Sequence, residues 1–214
     1  MWFGTMTGLN RYDGYTFKTF RHDVRHATSL RDNYITGLFT GPEEKLWVIT
    51  RSGLTIYNPL TESFYPNTTR WLQRYALPDS AITQVVKDKT GNFWFMHATQ
   101  GLFKYTSRTK STQKLTNTLH SASVSDLVQD KNNDFWLIYR DGMLEKRSSK
   151  TWQVMFSSRN LGQQQAVTGP DFRLFADDAG DLWIYQEEQP LGIFISIPPL
   201  NYFNITAANR KTLN

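Results

Sequence analysis

Cysteine is absent from the 214 residues. That excludes a disulfide framework and a thiolate metal site, and it leaves the compartment open. No run approaches the ~18–20 consecutive apolar residues that a membrane helix needs. No charged segment precedes a short apolar one near the start, so no signal peptide is visible. Charge of one sign is also missing as a block. The 24 Lys and Arg exceed the 19 Asp and Glu, but the excess of +5 is spread along the chain. A solvated basic surface explains that spread, with attraction to an anionic ligand as the sharper alternative. Aromatic residues are what the chain does have. They make up 14% of it, with seven Trp. Flat rings pack well on pleated surfaces, so this composition points to β-structure.

Five of the Trp recur in one context. They are Trp2, Trp47, Trp94, Trp136 and Trp183, each inside a short apolar run such as Leu46-Trp47-Val48-Ile49 or Phe135-Trp136-Leu137-Ile138. Their spacings are 45, 47, 42 and 47 residues. Trp71 and Trp152 lie outside the pattern. Gly8, Gly53 and Gly142 follow their Trp by six residues and Gly101 by seven. An apolar residue comes next each time, as Leu9, Leu54, Leu102 and Met143. Upstream of the Trp lies a polar turn: Asp88-Lys89-Thr90-Gly91-Asn92, Asp130 to Asp134, and Asp177 to Asp181. Asp, Asn and Gly favour such turns because they tolerate positive φ or bond their own backbone. The second copy uses Gly41-Pro42-Glu43-Glu44-Lys45 instead.

Each copy therefore holds four short strands, A to D, joined by hairpin turns. In the third copy A spans about Ile82–Lys87, B Asn92–His97, C Gly101–Tyr105 and D Thr112–Thr116. The D-to-A links, such as Arg21–Asn33, Pro66–Ser80 and Ser157–Asp171, show no helical period. Four strands every 40–50 residues with a recurring Trp and Gly specify an all-β chain. The expected fold is a β-propeller of about five four-stranded antiparallel blades. The blades fall at about 1–20, 34–66, 82–116, 123–156 and 172–206 of a single partial propeller covering 1–214. The five repeat Trp are expected to fill the wedges between blades rather than to stack on a ligand.

The first copy begins in strand B, because Trp2 already belongs to it. Four near-complete blades and one without its inner strand do not make a closed ring. The expectation is a portion of a larger, seven-bladed propeller. A closed five-bladed ring, its missing edge supplied by C-terminal residues, is the alternative.

The stretch from Trp2 to Phe17, with Gly8-Leu9-Asn10-Arg11-Tyr12, resembles the two-component regulator propeller repeat. Leu46-Trp47-Val48-Ile49-Thr50 with Gly53-Leu54 fits that pattern. So does Gly91-Asn92-Phe93-Trp94 with Gly101-Leu102-Phe103. The last two copies depart from it, with Tyr139 and Gln186 near the usual Thr. The resemblance implies the extracytoplasmic sensor region of a hybrid two-component histidine kinase. It further implies a periplasmic location, an oligosaccharide as ligand, and further blades and kinase regions as partners, with homodimerisation a further option. The chain itself carries no membrane segment and no kinase motif.

Propellers bind ligands at the face built from B–C loops and D–A links. The B–C loops hold Arg51, His97, Gln100, Arg140, Asp141, Gln186 and Glu187. That set could bond sugar hydroxyls, and Arg with His could bind a sulfate or carboxylate. No catalytic residue is assigned. The sequence shows no phosphate-binding Gly loop, no Gly-x-Ser-x-Gly and no local nucleophile–base pair. His22 and His26 stand four apart in an Arg-rich link and read as loop histidines, not metal ligands. The Asp-Gly turns lack the spaced ligands of a calcium loop. No cofactor, metal or nucleic acid is implied. A propeller glycosidase or polysaccharide lyase is the enzymatic alternative. A structural or protein-interaction propeller is the third.

Overall fold

The computed structural model describes residues 1–159, 172–186 and 195–197. The chain forms two compact units, Met1–Ala122 and Ser123–Asn214. Within the first unit three sheets follow one another. The first holds β1 (Trp2–Thr5), β2 (Gly8–Tyr12) and β3 (Phe17–Phe20). The second holds β4 (Ile35–Thr40), β5 (Leu46–Thr50), β6 (Gly53–Asn58) and β7 (Ser63–Phe64). A short helix, α1 (Thr69–Arg74), leads to the third sheet. That sheet is β8 (Ile82–Lys87), β9 (Phe93–His97), β10 (Gly101–Thr106) and β11 (Ser111–Lys114). The second unit holds β12 (Val124–Gln129), β13 (Phe135–Tyr139), β14 (Leu144–Arg147) and β15 (Val154–Ser158). Beside them lie β16 (Phe172–Ala176), β17 (Leu182–Gln186) and β18 (Ile195–Ile197).

Every pairing is antiparallel and every sheet runs in sequence order. This is the blade of a β-propeller. In the first unit the leading strands β1, β4 and β8 lie beside one another, as β12 and β16 do in the second. The first sheet has three strands because β1 is the Trp strand itself. The expected fourth strand of the last blade, near Asn201–Thr206, lies outside the described residues.

The Trp strands carry unbroken apolar runs because both of their faces are buried. On β5, Trp47 and Ile49 point one way, into a core with Val85, Phe93, Phe95 and Phe103 of the third sheet. Val48 points the other way, into a core with Leu9, Phe20, Leu30, Tyr57 and Phe64. Side chains alternate with period two along a strand, so one strand serves two cores. In the second unit Trp136, Ile138 and Leu144 meet Phe172, Leu174, Leu182 and Ile184 in the same way. Trp47 and Trp136 thus fill wedges between blades and Trp94 is buried, while the other two are less covered. Trp2 is half-buried, and Trp183 is 36% exposed.

One link departs from the expectation. Pro66–Ser80 was expected to hold no helix, yet it contains α1. Six residues make less than two turns, too few for a 3.6-residue period to register. The helix brings Leu72 and the following Tyr75 and Leu77 into the core between the second and third sheets.

Candidate functional site

Each blade has two loop edges. One edge carries the A–B turns. Asp88 closes its turn with its backbone N–H on Asn92 O, and Asp130 and Asp177 do the same with Asp134 and Asp181. The Asp carboxylate then accepts from backbone N–H groups of its own turn, for example from Asn92 at 2.9 Å. Gly91, Asn133 and Gly180 supply the positive φ that such turns need. The C–D turns share this edge, since Ser107 N–H bonds the Asn92 side chain and Ser149 N–H bonds Asp134.

The opposite edge carries the B–C loops and D–A links. A recurring hydrogen bond ties them together. The N–H after strand B donates to the carbonyl before strand A: Arg51 to Tyr34 at 3.0 Å, Ala98 to Ala81 at 2.9 Å, and Arg140 to Ser123 at 3.0 Å. Just inside it, strand A bulges in each of these blades, between Ile35 and Gly37, Ile82 and Gln84, and Val124 and Asp126. The bulged residues are Thr36, Thr83 and Ser125. The hydroxyls of Thr36 and Thr83 donate to the carbonyls of Ile49 and Met96 across the strand pair. Bulges re-aim side chains at sheet ends, which suits a loop edge that must present polar groups.

Two carboxylates that the sequence reading passed over organise this edge in the first unit. Asp32 Oδ1 accepts Tyr34 N–H at 2.9 Å, and its Oδ2 accepts the Ser52 hydroxyl at 2.7 Å. Asp79 Oδ1 accepts Ala81 N–H at 2.7 Å and His97 Nε2 at 3.0 Å. Each stands two residues before the carbonyl of the recurring bond, and 47 residues separate them, as 47 separate Trp47 and Trp94. That shared interval is the signal by which they could have been found. Both carboxyls are held below the usual range. Tyr34 N–H and the Ser52 hydroxyl do this for Asp32, and Ala81 N–H and His97 for Asp79, against the opposing effect of burial.

The residues expected at the site fall into distinct environments. Arg51 is exposed and makes no side-chain hydrogen bond among the described residues. It lies close enough to Asp32 to favour its ionised form. His97 is not an exposed loop side chain. It ends β9 and is 3% exposed. Its Nδ1 accepts the N–H groups of Thr99 at 3.2 Å and Gln100 at 3.1 Å. The ring proton of the neutral form must then sit on Nε2, which donates to Asp79. His97 therefore shapes the B–C loop of its blade. Gln100 Oε1 accepts Lys114 Nζ at 3.0 Å. In the second unit Arg140 and Asp141 are exposed, and Asp141 Oδ1 accepts Met143 N–H at 3.1 Å. Gln186 ends β17, and Glu187 lies outside the described residues. Among the described residues no group of His, Asp and Glu side chains is arranged to hold a metal ion. No helix among them is long and apolar enough to cross a membrane. In the first unit this edge offers the ionised carboxylates of Asp32 and Asp79 and the exposed guanidinium of Arg51 on a bonded loop scaffold, suited to polar recognition.

No protein-family model matches the sequence, and no curated protein matches it. Solved structures do. The extracellular domain of a protein described as a hybrid two-component system, from B. thetaiotaomicron, superposes with a TM-score of 0.61. The identity is 21%, over 96% of this chain and 28% of that one. The extracellular domain of a protein described as a one-component system from the same organism gives a TM-score of 0.64. Its identity is 19%, over 94% of this chain and 28% of that one. This chain has their propeller fold. It spans about 28% of the length of these extracellular domains. The propeller also resembles virginiamycin B lyase from Staphylococcus aureus, with a TM-score of 0.56 and 12% identity over 94% of this chain and 67% of that one. The two-component proteins are of the kind that the repeat resembles.

Proposed function

We propose that this propeller is a ligand-binding portion of the extracytoplasmic sensor of a hybrid two-component histidine kinase, and that its ligand is an oligosaccharide in the periplasm. The observation that carries this reading is the loop edge of the first unit. In its second and third blades one recurring backbone bond ties the B–C loop to the D–A link, and Arg51 stands exposed beside it. Such an edge is stiff in its backbone and polar in its side chains, which suits hydroxyl-rich ligands that need many directional bonds. The fold shared with extracellular domains of two-component proteins supports the same reading. Further blades, kinase regions and a second copy are the partners this reading implies. The role proposed is binding rather than turnover, and the buried His97, committed to its own loop and Asp79, serves as a structural residue in it.

The test is a panel of neutral and acidic oligosaccharides titrated into the purified protein by calorimetry, with the products examined by chromatography. Saturable binding of one class without chemical change is expected, and Arg51→Ala should weaken it. Binding of none, or conversion of any, would overturn the reading.

A further inference from the structure

The link from Arg21 to Asn33, between the first and second blades, borders an open pocket of about 250 Å³. Its far wall is the start of β6 and the segment from Tyr65 to Thr68. The link is tightly self-bonded. His22 N–H donates to Asn33 Oδ1 at 2.7 Å, Asp23 N–H to Ser29 Oγ at 3.0 Å, and Ser29 Oγ back to Asp23 O at 2.9 Å. Phe64 N–H anchors it by donating to Thr28 O at 2.9 Å.

Two hydroxyls that line the cavity are left over by the fold. Thr55 and Thr68 are 3% and 8% exposed. Neither side chain has a hydrogen-bond partner among the described residues. Both hydroxyl oxygens still reach solvent in the pocket, so each can exchange water for a ligand group. Arg31 also lines the cavity and has no ion-pair partner among the described residues. His22 Nδ1 lies 2.7 Å from Leu30 O, and His26 Nδ1 lies 2.9 Å from Asp23 Oδ2. Both oxygens can only accept, so each Nδ1 carries the proton and each neutral ring keeps Nε2 as an acceptor. The Asp23 carboxylate is held ionised by Arg25, through its side chain and then its backbone N–H, and by His26. Its charge is balanced within the link, and Arg31 is the cation without an ion pair that lines this pocket.

We propose that this cavity binds a small polyhydroxylated carboxylate the size of one acidic sugar unit. Arg31 receives the carboxylate, and Thr55, Thr68 and the imidazole Nε2 atoms take the hydroxyls. The chemistry is complementary at each position: a guanidinium pairs with a carboxylate, and hydroxyls both donate and accept. The volume equals about eight waters, enough for one ring and too little for a chain. The proposal stands apart from the sensor reading, since the site needs only the first two blades and the start of the third-blade link.

The test uses D-glucuronate, D-glucose and acetate against the purified protein, by calorimetry and by amide NMR. Glucuronate is expected to bind saturably and to shift the amides of Asp23, Ser29, Thr55 and Thr68. Arg31→Gln should weaken glucuronate by about tenfold or more, the usual size for a charge-assisted bond, and leave glucose unchanged. Thr55→Val should weaken both sugars. Arg31 is exposed and unpaired, so its variant should melt like the parent and keeps the test decisive if Thr55→Val does not fold. The proposal is overturned if acetate binds as tightly as glucuronate, if Arg31→Gln changes nothing, if the shifts map elsewhere, or if no sugar saturates. Oligosaccharide binding at the Arg51 edge alone would sustain the sensor reading while sinking this one.

Discussion

The indole Nε1 of Trp94 donates to Asp88 Oδ2 at 2.9 Å, joining the repeat's Trp to the repeat's turn. Trp183 and Asp177 make the same bond at 2.8 Å across the same six-residue interval. A cation often completes the arrangement from strand C, opposite the Trp. Lys104 lies 4.9 Å from the Trp94 ring and Lys146 5.4 Å from the Trp136 ring. Asp88→Ala should therefore destabilise the protein by about 1–3 kcal/mol, because it leaves a buried indole N–H and two turn N–H groups without their acceptor. Asp177→Ala should cost less, since Trp183 is more exposed. Urea unfolding of both variants checks the order.

The second blade lacks this device. Gly41 stands where the turn Asp would be, and Ile56 pairs with Trp47 where a Lys would be. The Trp47 Nε1 is accordingly buried with no partner among the described residues. Gly41 is required there by space. A Cβ at this position would lie 2.3 Å from the indole. Gly41→Ala should cost about 1–3 kcal/mol through overpacking. Trp94→Phe should cost more than Trp47→Phe, because only the former breaks a bond. Thermal melts of the three variants would show it, and equal costs for the two Trp changes would refute it.

Acid should weaken the fold in a defined window. Asp88 is pushed up by burial, but bonds from Thr90, Trp94 and Asn92 more than offset this and hold it low. Asp177, bonded first by Trp183, and Asp32, bonded first by Tyr34 N–H, are also low. A lowered folded pKa means that the unfolded chain binds more protons. This stability is then complete above the unfolded value of about 3.9 and is lost as pH falls through the folded values. Melting temperatures should hold from neutral pH down to about 5 and fall steeply below about 4. Asp88→Asn should flatten that acid limb. An unchanged limb would count against the assignment.

His97 should act on its loop before it acts on the whole fold. His97→Phe keeps a ring in the site but removes the acceptor of Thr99 and Gln100 N–H and the donor to Asp79. Amide exchange at Thr99 and Gln100 should quicken by about tenfold or more, while exchange in β8 follows the global stability. Equal acceleration in both places would mean that His97 is a core residue only.

The strands were legible because a local pattern specifies them. β8 and β16 begin and end where alternation and turn residues place them, at Ile82–Lys87 and Phe172–Ala176. The Trp interval predicted the wedge positions of Trp47 and Trp136. Even the interval of 47 residues between Asp32 and Asp79 was present in the sequence, unread because neither residue sits in a motif.

The sequence by itself determined the blade: repeated copies of one hairpin pattern and their turns. Nearest-neighbour geometry is enough for that, since period-two alternation and positive-φ turn residues act over a few positions. Only the tertiary structure decided which polar groups are used up and which are left over. His97 is spent on Thr99, Gln100 and Asp79, while Thr55, Thr68 and Arg31 line one pocket without protein partners for their polar groups. The bond from His97 to Asp79 and the shared pocket join residues far apart in the chain, which only packing brings together.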